Sequence, residues 1–146
     1  CVDMDGTIVE YRVFPENFVT TETKEVFLNA EPLEVVLKNL EKINEIENLD
    51  VYILSLARSF IIVEEKKQWL KKYAPFIREE NYILLNKENG DYNAENREFI
   101  KSIKMMEKLN EYDYVILLDD DHKILKRTLN EVGKNGEVFH VSSATM

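Results

Sequence analysis

The sequence predicts an α/β fold, in which a doubly wound parallel sheet of about five strands forms a single domain over residues 1–146. Two observations support this fold. Short apolar runs alternate with amphipathic segments of helical period, and acidic or hydroxyl residues follow several of the apolar runs. The chain has 146 residues and is 45% apolar, which suits one hydrophobic core.

The predicted strands are short and almost continuously apolar, as expected for a parallel sheet that is covered on both faces. They span residues 51–54, 82–85, 114–118 and 138–141. Cys1 and Val2 form the stub of a fifth strand. Because a strand usually needs about 5 residues, we expect that a few native residues precede Cys1.

Helical patterns fill the gaps between these strands. Apolar residues recur at intervals of three and four over 33–46, 62–73, 99–109 and 124–132. Pro32 suits a first helical turn, Pro75 stops the second helix, and Gly133 is a plausible C-cap for the fourth. Strands that alternate with helices in this way predict right-handed crossovers.

Charge and cysteine content narrow the function classes. The net charge of −9 argues against extended nucleic-acid binding, which needs a basic surface. It leaves room for a small phosphorylated substrate, because a bound metal inverts the local charge. Cys1 is the only cysteine, so no internal disulfide forms. Without a signal peptide or a membrane-length apolar run, the sequence predicts a cytoplasmic protein.

Polar residues collect where the predicted strands end. Asp3 and Asp5 follow the first strand and Ser55 the second, while a run of three aspartates, 119–121, follows the run at 114–118. In a doubly wound sheet, ligands bind beyond the carboxyl ends of the strands. We therefore expect these side chains to share one edge of the sheet.

The spacing of Asp3 and Asp5 suits phosphoryl transfer, because alternate residues of an extended segment share a face. One carboxylate can attack phosphorus while the other protonates the leaving oxygen and then activates water. Gly6 permits a tight turn near a phosphate, and Thr7 can cap the segment that follows. Taken alone, Asp5-Gly6 is also a common turn signal.

The aspartate run offers only oxygen ligands, which favour Mg²⁺. Such a metal would offset the repulsion between the carboxylates and a phosphate dianion. On its own the run could equally cap a helix and compensate the helix dipole. The metal prediction depends on its occurrence together with Asp3, Asp5 and Ser55.

These motifs resemble those of the haloacid dehalogenase superfamily. Asp3 to Thr7 match its first motif, residues 51–55 its second, and residues 117–120 its fourth. The resemblance implies a phosphatase with Asp3 as nucleophile and Asp5 as general acid/base. It also implies that Mg²⁺ is held by Asp3, the backbone carbonyl of Asp5, Asp119 and Asp120, with Asp121 the less favoured member of the run.

The resemblance also requires a lysine, for which Lys87, Lys101 and Lys104 are candidates. We favour Lys101, because it lies early in the helix that leads into the acidic pair, as in the family. The residues that would bind the substrate phosphate are the following: Gly6, Thr7, Ser55, Ala57 and Lys101.

The substrate is less constrained. Residues 8–32 have room for a small flap or reduced cap only. The chain resembles both 5′(3′)-deoxyribonucleotidases and polynucleotide 3′-phosphatases, and its acidity favours a nucleotide or another small phosphate ester. A 3′-phosphatase on polynucleotide ends, a mutase and a non-catalytic domain on the same fold remain alternatives, and an oligomer stays open. We expect Trp69 to be a core residue and not a base-stacking platform.

Overall fold

The computed structural model describes residues 1–10 and 27–145, and these contain four α-helices and four β-strands. In chain order the elements are α1 (Glu34–Asn44), β1 (Ile53–Ala57), α2 (Phe60–Tyr73), β2 (Tyr82–Asn86), α3 (Ile100–Lys108), β3 (Val115–Asp119), α4 (His122–Val132) and β4 (Gly136–His140). Each lies close to a segment that the hydrophobic pattern predicts. The α/β class is therefore confirmed.

The predicted five-stranded sheet is wrong in strand number. The described residues form two parallel pairs, β1 with β2 and β3 with β4. Val2 joins them through isolated parallel bridges to Ile53 of β1 and Leu118 of β3. The position between β1 and β3 is therefore held by isolated bridges at Val2, where we expected a strand.

Helices cover both sides of the strands, because neighbouring strand residues point to opposite faces. Ile53 and Leu118 belong to one buried cluster, which they share with residues of α1 and α2. Leu54 and Leu117 belong to a second cluster with residues of α3 and α4. The strands are thus held from both sides, and their carboxyl ends are left as the polar edge.

The predicted ends of the second and fourth helices and the predicted role of Trp69 are confirmed, whereas the prediction for Pro32 is wrong, because α1 begins at Glu34 after the N-cap Leu33. Gly133 caps the C-terminus of α4 with a φ of 58°, in the left-handed region that glycine tolerates. Trp69 is 1% exposed, and its indole Nε1 donates to the Ala30 carbonyl at 3.0 Å. It is therefore a core residue that anchors the chain leading into α1.

Most of the predicted flap over 8–32 lies outside the described residues. Its two ends are described and are held together. Val9 forms an antiparallel bridge with Pro32, and the amide of Glu10 donates to the Glu31 carbonyl at 2.8 Å. Glu10 and Glu31 therefore lie next to each other, close to the Asp3–Thr7 motif.

None of the helices in the described part of the chain combines the length and the apolar character needed to cross a bilayer.

Candidate active site

The Asp3–Thr7 motif folds into a tight turn at the polar edge of the strands. The amides of Thr7, Ile8 and Val9 all donate to the Met4 carbonyl at 3.0 Å. Gly6 has a φ of 76°, which disfavours any residue with a side chain. A Cβ on Gly6 would also collide with the carboxyl group of Asp120. The glycine therefore allows the turn and the close approach of Asp120.

Asp3, Lys101 and Asp119 form a buried charge cluster. The ammonium of Lys101 donates to Asp3 Oδ1 at 2.8 Å and to Asp119 Oδ2 at 2.6 Å. The hydroxyl of Thr7 donates to the other Asp3 oxygen at 3.3 Å, and the amide of Asp121 donates to the other Asp119 oxygen at 3.0 Å. The three charged side chains are at most 8% exposed, so both carboxylates are held in one orientation.

Burial and the neighbouring charges of opposite sign shift the pKa values of Asp3 and Lys101 in opposite directions. Burial raises the pKa of Asp3, and the neighbouring charge of Asp119 adds to this effect, while the charge of Lys101 offsets part of it. Burial alone would lower the pKa of Lys101, but the charges of Asp3 and Asp119 outweigh it and the pKa is raised. Lys101 is therefore a cation held by two anions.

Asp120 completes a set of three carboxylates. One oxygen from each of Asp3, Asp119 and Asp120 lies within 4.8 Å of the other two. Burial and, secondly, the charge of Asp3 raise the pKa of Asp120 to about 7. With only the Lys101 ammonium in the cluster, three ionised carboxylates would leave an excess of two negative charges. The raised pKa of Asp120 therefore reflects burial first and, beyond it, the negative charge of its neighbours.

The three carboxylates could hold a metal ion. All three side chains offer carboxylate oxygens, which are the hard ligands that Mg²⁺ prefers. The charge excess also favours a divalent cation over a neutral ligand. Asp121 has a different role, because its carboxylate caps α4 by accepting from the amides of Lys123 and Ile124 at 2.9 and 3.2 Å. The lower rank that we expected for Asp121 as a ligand agrees with this geometry.

A second buried lysine binds Asp5. The ammonium of Lys66 donates to Asp5 Oδ2 at 2.9 Å, to Ser55 Oγ at 2.8 Å and to the Leu56 carbonyl at 2.7 Å. The Lys66 side chain is 2% exposed, whereas that of Asp5 is 52% exposed. The carboxylate of Asp5 is therefore open to solvent while its partner is not.

Ser55 does not lie at the end of its strand, where the sequence reasoning placed it. Strand β1 continues to Ala57, so Ser55 lies in the middle of the strand and not at its end. Ser55 is fully buried. Ala57 ends the strand, and its carbonyl accepts from the amide of Lys87 at 2.9 Å and from the hydroxyl of Tyr92 at 3.1 Å. Ser55 is thus connected to the Asp3–Thr7 motif through the ammonium of Lys66, which donates to both Ser55 and Asp5.

Of the three candidate lysines, the structure brings Lys101 to the carboxylates. Lys87 is exposed in the loop after β2, and the ammonium of Lys104 pairs with Glu107 at 3.2 Å on the surface.

Sequence reasoning missed Lys66 as a site residue, although a signal was present. Lys66 falls on the apolar stripe of α2, together with Ile62, Trp69, Leu70 and Tyr73. A lysine in such a stripe is buried if the helix packs, and a buried lysine needs acceptors. That argument could have predicted a charged partner for Lys66, but it could not have identified Asp5.

Comparisons of this chain with protein-family models, with curated proteins and with solved structures give no match. The resemblance to the haloacid dehalogenase superfamily therefore depends on the motifs, and no family is assigned.

Proposed function

We propose that this protein is a magnesium-dependent phosphatase that hydrolyses phosphomonoesters through an aspartyl-phosphate on Asp3. The observation that carries the proposal is the buried Lys101 ammonium, which binds Asp3 and Asp119 while Asp120 lies beside them. A nucleophilic carboxylate, a cation and a set of hard oxygen ligands at the carboxyl ends of parallel strands are the parts that phosphoryl transfer needs.

Asp3 suits the role of nucleophile because its position is held from two sides. Lys101 binds one of its oxygens and Thr7 the other, so the carboxylate keeps one orientation. In the first step an Asp3 oxygen attacks phosphorus, and the bond from phosphorus to the ester oxygen breaks. The positioning of a nucleophile in this way removes much of the entropic cost of the reaction.

Asp5 suits the role of general acid/base because its carboxyl group is half exposed, two residues from the nucleophile. In the first step Asp5 gives its proton to the leaving oxygen, which departs as an alcohol. In the second step the Asp5 carboxylate takes a proton from water, whose oxygen attacks phosphorus. Inorganic phosphate then leaves and the Asp3 carboxylate is regenerated.

Asp3, Asp119, Asp120 and the backbone carbonyl of Asp5 would hold the magnesium ion. When bound, Mg²⁺ would neutralise the charge of the carboxylates and of the phosphoryl oxygens. Lys101 fixes two of these carboxylates, and Gly6 leaves the space that the third occupies.

We propose a nucleotide or another small phosphate ester as the substrate. The net charge of −9 supports this choice, because a polynucleotide would be repelled except where a local basic surface attracts it. Hydrolysis at polynucleotide 3′ ends and a non-catalytic role on the same fold are the alternatives that the experiment must separate.

The test is phosphate release from three substrate classes, measured with Mg²⁺ and with EDTA. The classes are nucleoside monophosphates, sugar phosphates and 3′-phosphorylated oligonucleotides. We expect release from a small ester with Mg²⁺, none with EDTA, and a loss of at least about 1,000-fold in Asp3→Asn. Asp113→Asn, at an exposed position, is the matched control and should keep full activity. Full activity of Asp3→Asn, or in EDTA, would exclude the mechanism, and release from the oligonucleotides alone would favour the 3′-phosphatase.

A further inference from the structure

Lys66 forms a contact network of its own beside the metal-binding carboxylates. It belongs to α2, on a different helix from Lys101, and it is 1% exposed as a whole residue. A buried ammonium is costly unless acceptors surround it. Its acceptors therefore indicate why the fold keeps a lysine at this position.

The three donors of the Lys66 ammonium are matched by three acceptors. They are Asp5 Oδ2, Ser55 Oγ and the carbonyl of Leu56, at 2.9, 2.8 and 2.7 Å. Since a lysine has three N–H donors, the described contacts use all of them. Lys66 therefore has no spare donor for a substrate while this network is intact, and its role is to hold other groups.

Two of these acceptors belong to the rigid part of the fold. Ser55 and Leu56 lie in the interior of β1, which pairs with β2 along its length. The third acceptor, Asp5, is in the turn after Val2 and is half exposed. The ring of Phe27 lies 5.2 Å from the ammonium and covers it further. Lys66 thus connects the exposed carboxylate of Asp5 to strand β1.

The geometry points to Lys66 as a positioning residue for Asp5, which it orients and whose negative charge it stabilises when the proton leaves for the ester oxygen. This inference rests on the proposed function. Oδ2 of Asp5 accepts from the Lys66 ammonium at 2.9 Å, so Oδ1 is the oxygen that carries the transferred proton. A fixed cation beside the developing carboxylate favours the transfer.

This role predicts a dependence on the leaving group. The leaving group of an alkyl phosphate is an alkoxide unless its oxygen is protonated, so hydrolysis of an alkyl ester needs the general acid. The leaving group of an aryl phosphate such as p-nitrophenyl phosphate is a stabilised phenolate, so hydrolysis of an aryl ester needs the acid far less. A lysine that merely stabilised the fold would affect both substrates by the same factor.

The experiment compares kcat for p-nitrophenyl phosphate and for an alkyl phosphate that the wild-type enzyme hydrolyses, in Lys66→Met and in wild type. We expect a loss of about 100-fold with the alkyl ester and of less than about 10-fold with the aryl ester. Lys67→Met is the matched control, because the neighbouring Lys67 pairs only with Glu64 on the surface of α2 among the described residues. It should leave both rates unchanged.

The kcat of Asp5→Asn should show the same dependence on the leaving group. The double variant with Asp5→Asn and Lys66→Met should lose little further kcat. If Lys66→Met does not fold, Lys66→Gln keeps a donor without the charge and should give the same pattern. Equal losses on both substrates in the folded Lys66 variants would overturn the inference while leaving the phosphatase intact. Absence of phosphate release by the wild type would overturn the proposed function and this inference with it.

Discussion

Lys101 and Lys66 are both buried lysines that bind aspartates of the same motif, but their surroundings differ. Lys101 binds two carboxylates whose side chains are 8% and 1% exposed. Lys66 binds one carboxylate that is 52% exposed and two neutral oxygens. The charged groups around the two lysines are therefore balanced differently, with an excess of carboxylates around Lys101 and an equal number of charges around Lys66.

Around Lys101 the carboxylates outnumber the cation, because Asp120 joins Asp3 and Asp119. Around Lys66 one cation meets one carboxylate. An anionic excess in a buried place favours a metal ion, whereas a balanced pair favours fixed orientation. The difference indicates two roles. Lys101 neutralises part of the charge of the carboxylate cluster, whereas Lys66 fixes the orientation of the Asp5 carboxylate.

The largest expected effect is that of Lys101→Met on stability. It leaves two buried carboxylates without their cation, which should cost about 3 kcal/mol of unfolding free energy in EDTA. Lys66→Met leaves mainly neutral oxygens unpaired and should cost about 2 kcal/mol. Urea denaturation measures both. Mg²⁺ should restore part of the stability of Lys101→Met, since it neutralises the same carboxylates.

Lys104→Met is the control for this comparison, because Lys104 pairs with Glu107 on the surface of the same helix. Its unfolding free energy should stay within about 0.5 kcal/mol of wild type. Equal losses in the Lys101 and Lys66 variants, with no response to Mg²⁺, would show that the surroundings of the two lysines do not differ in charge balance.

An intermediate effect is expected for the pH dependence of stability. Burial and, secondly, the charge of Asp3 raise the pKa of Asp120 in the fold from its ordinary value of 3.8 to about 7. The folded protein therefore holds a proton that the unfolded chain has lost, and metal-free stability should fall as the pH rises from about 4 to about 7. Asp120→Asn should make this fall smaller, as measured by urea denaturation across that range.

Asp121→Asn is the matched control for the pH experiment, since asparagine also caps a helix. It should keep the wild-type dependence on pH. A wild-type stability that rises over this range in EDTA would contradict the raised pKa of Asp120.

The smallest expected effect is that of Asp121→Ala, which tests whether Asp121 differs in role from Asp119 and Asp120. Asp121→Ala removes the side-chain cap of α4 and should cost about 1 kcal/mol of unfolding free energy. The amide of Asp121 would still donate to Asp119, so kcat should not change. Thermal unfolding and the phosphatase assay measure the two quantities. A large loss of kcat would place Asp121 among the metal ligands.

Much of the site could be predicted because it depends on local order along the chain. Asp3 and Asp119 follow apolar runs, and parallel strands bring their ends to one edge. Lys101 was favoured over Lys87 and Lys104 only through the resemblance to the haloacid dehalogenase motifs, in which a lysine early in a helix precedes the acidic pair. The prediction that Ser55 ends its strand was wrong because the first polar residue after an apolar run need not be the end of the strand. Leu56 and Ala57 extend β1 beyond Ser55.

The amino-acid sequence by itself determined the α/β class, the order of the elements and the acidic character of the polar edge, because these follow from hydrophobic period and residue type. Only the tertiary structure decided which lysine meets which carboxylate. Lys66 and Asp5 are 61 residues apart, and Lys101 and Asp3 are 98 apart. Contacts over such separations are set by how α2 and α3 pack on opposite faces of the strands, and no local pattern encodes that packing.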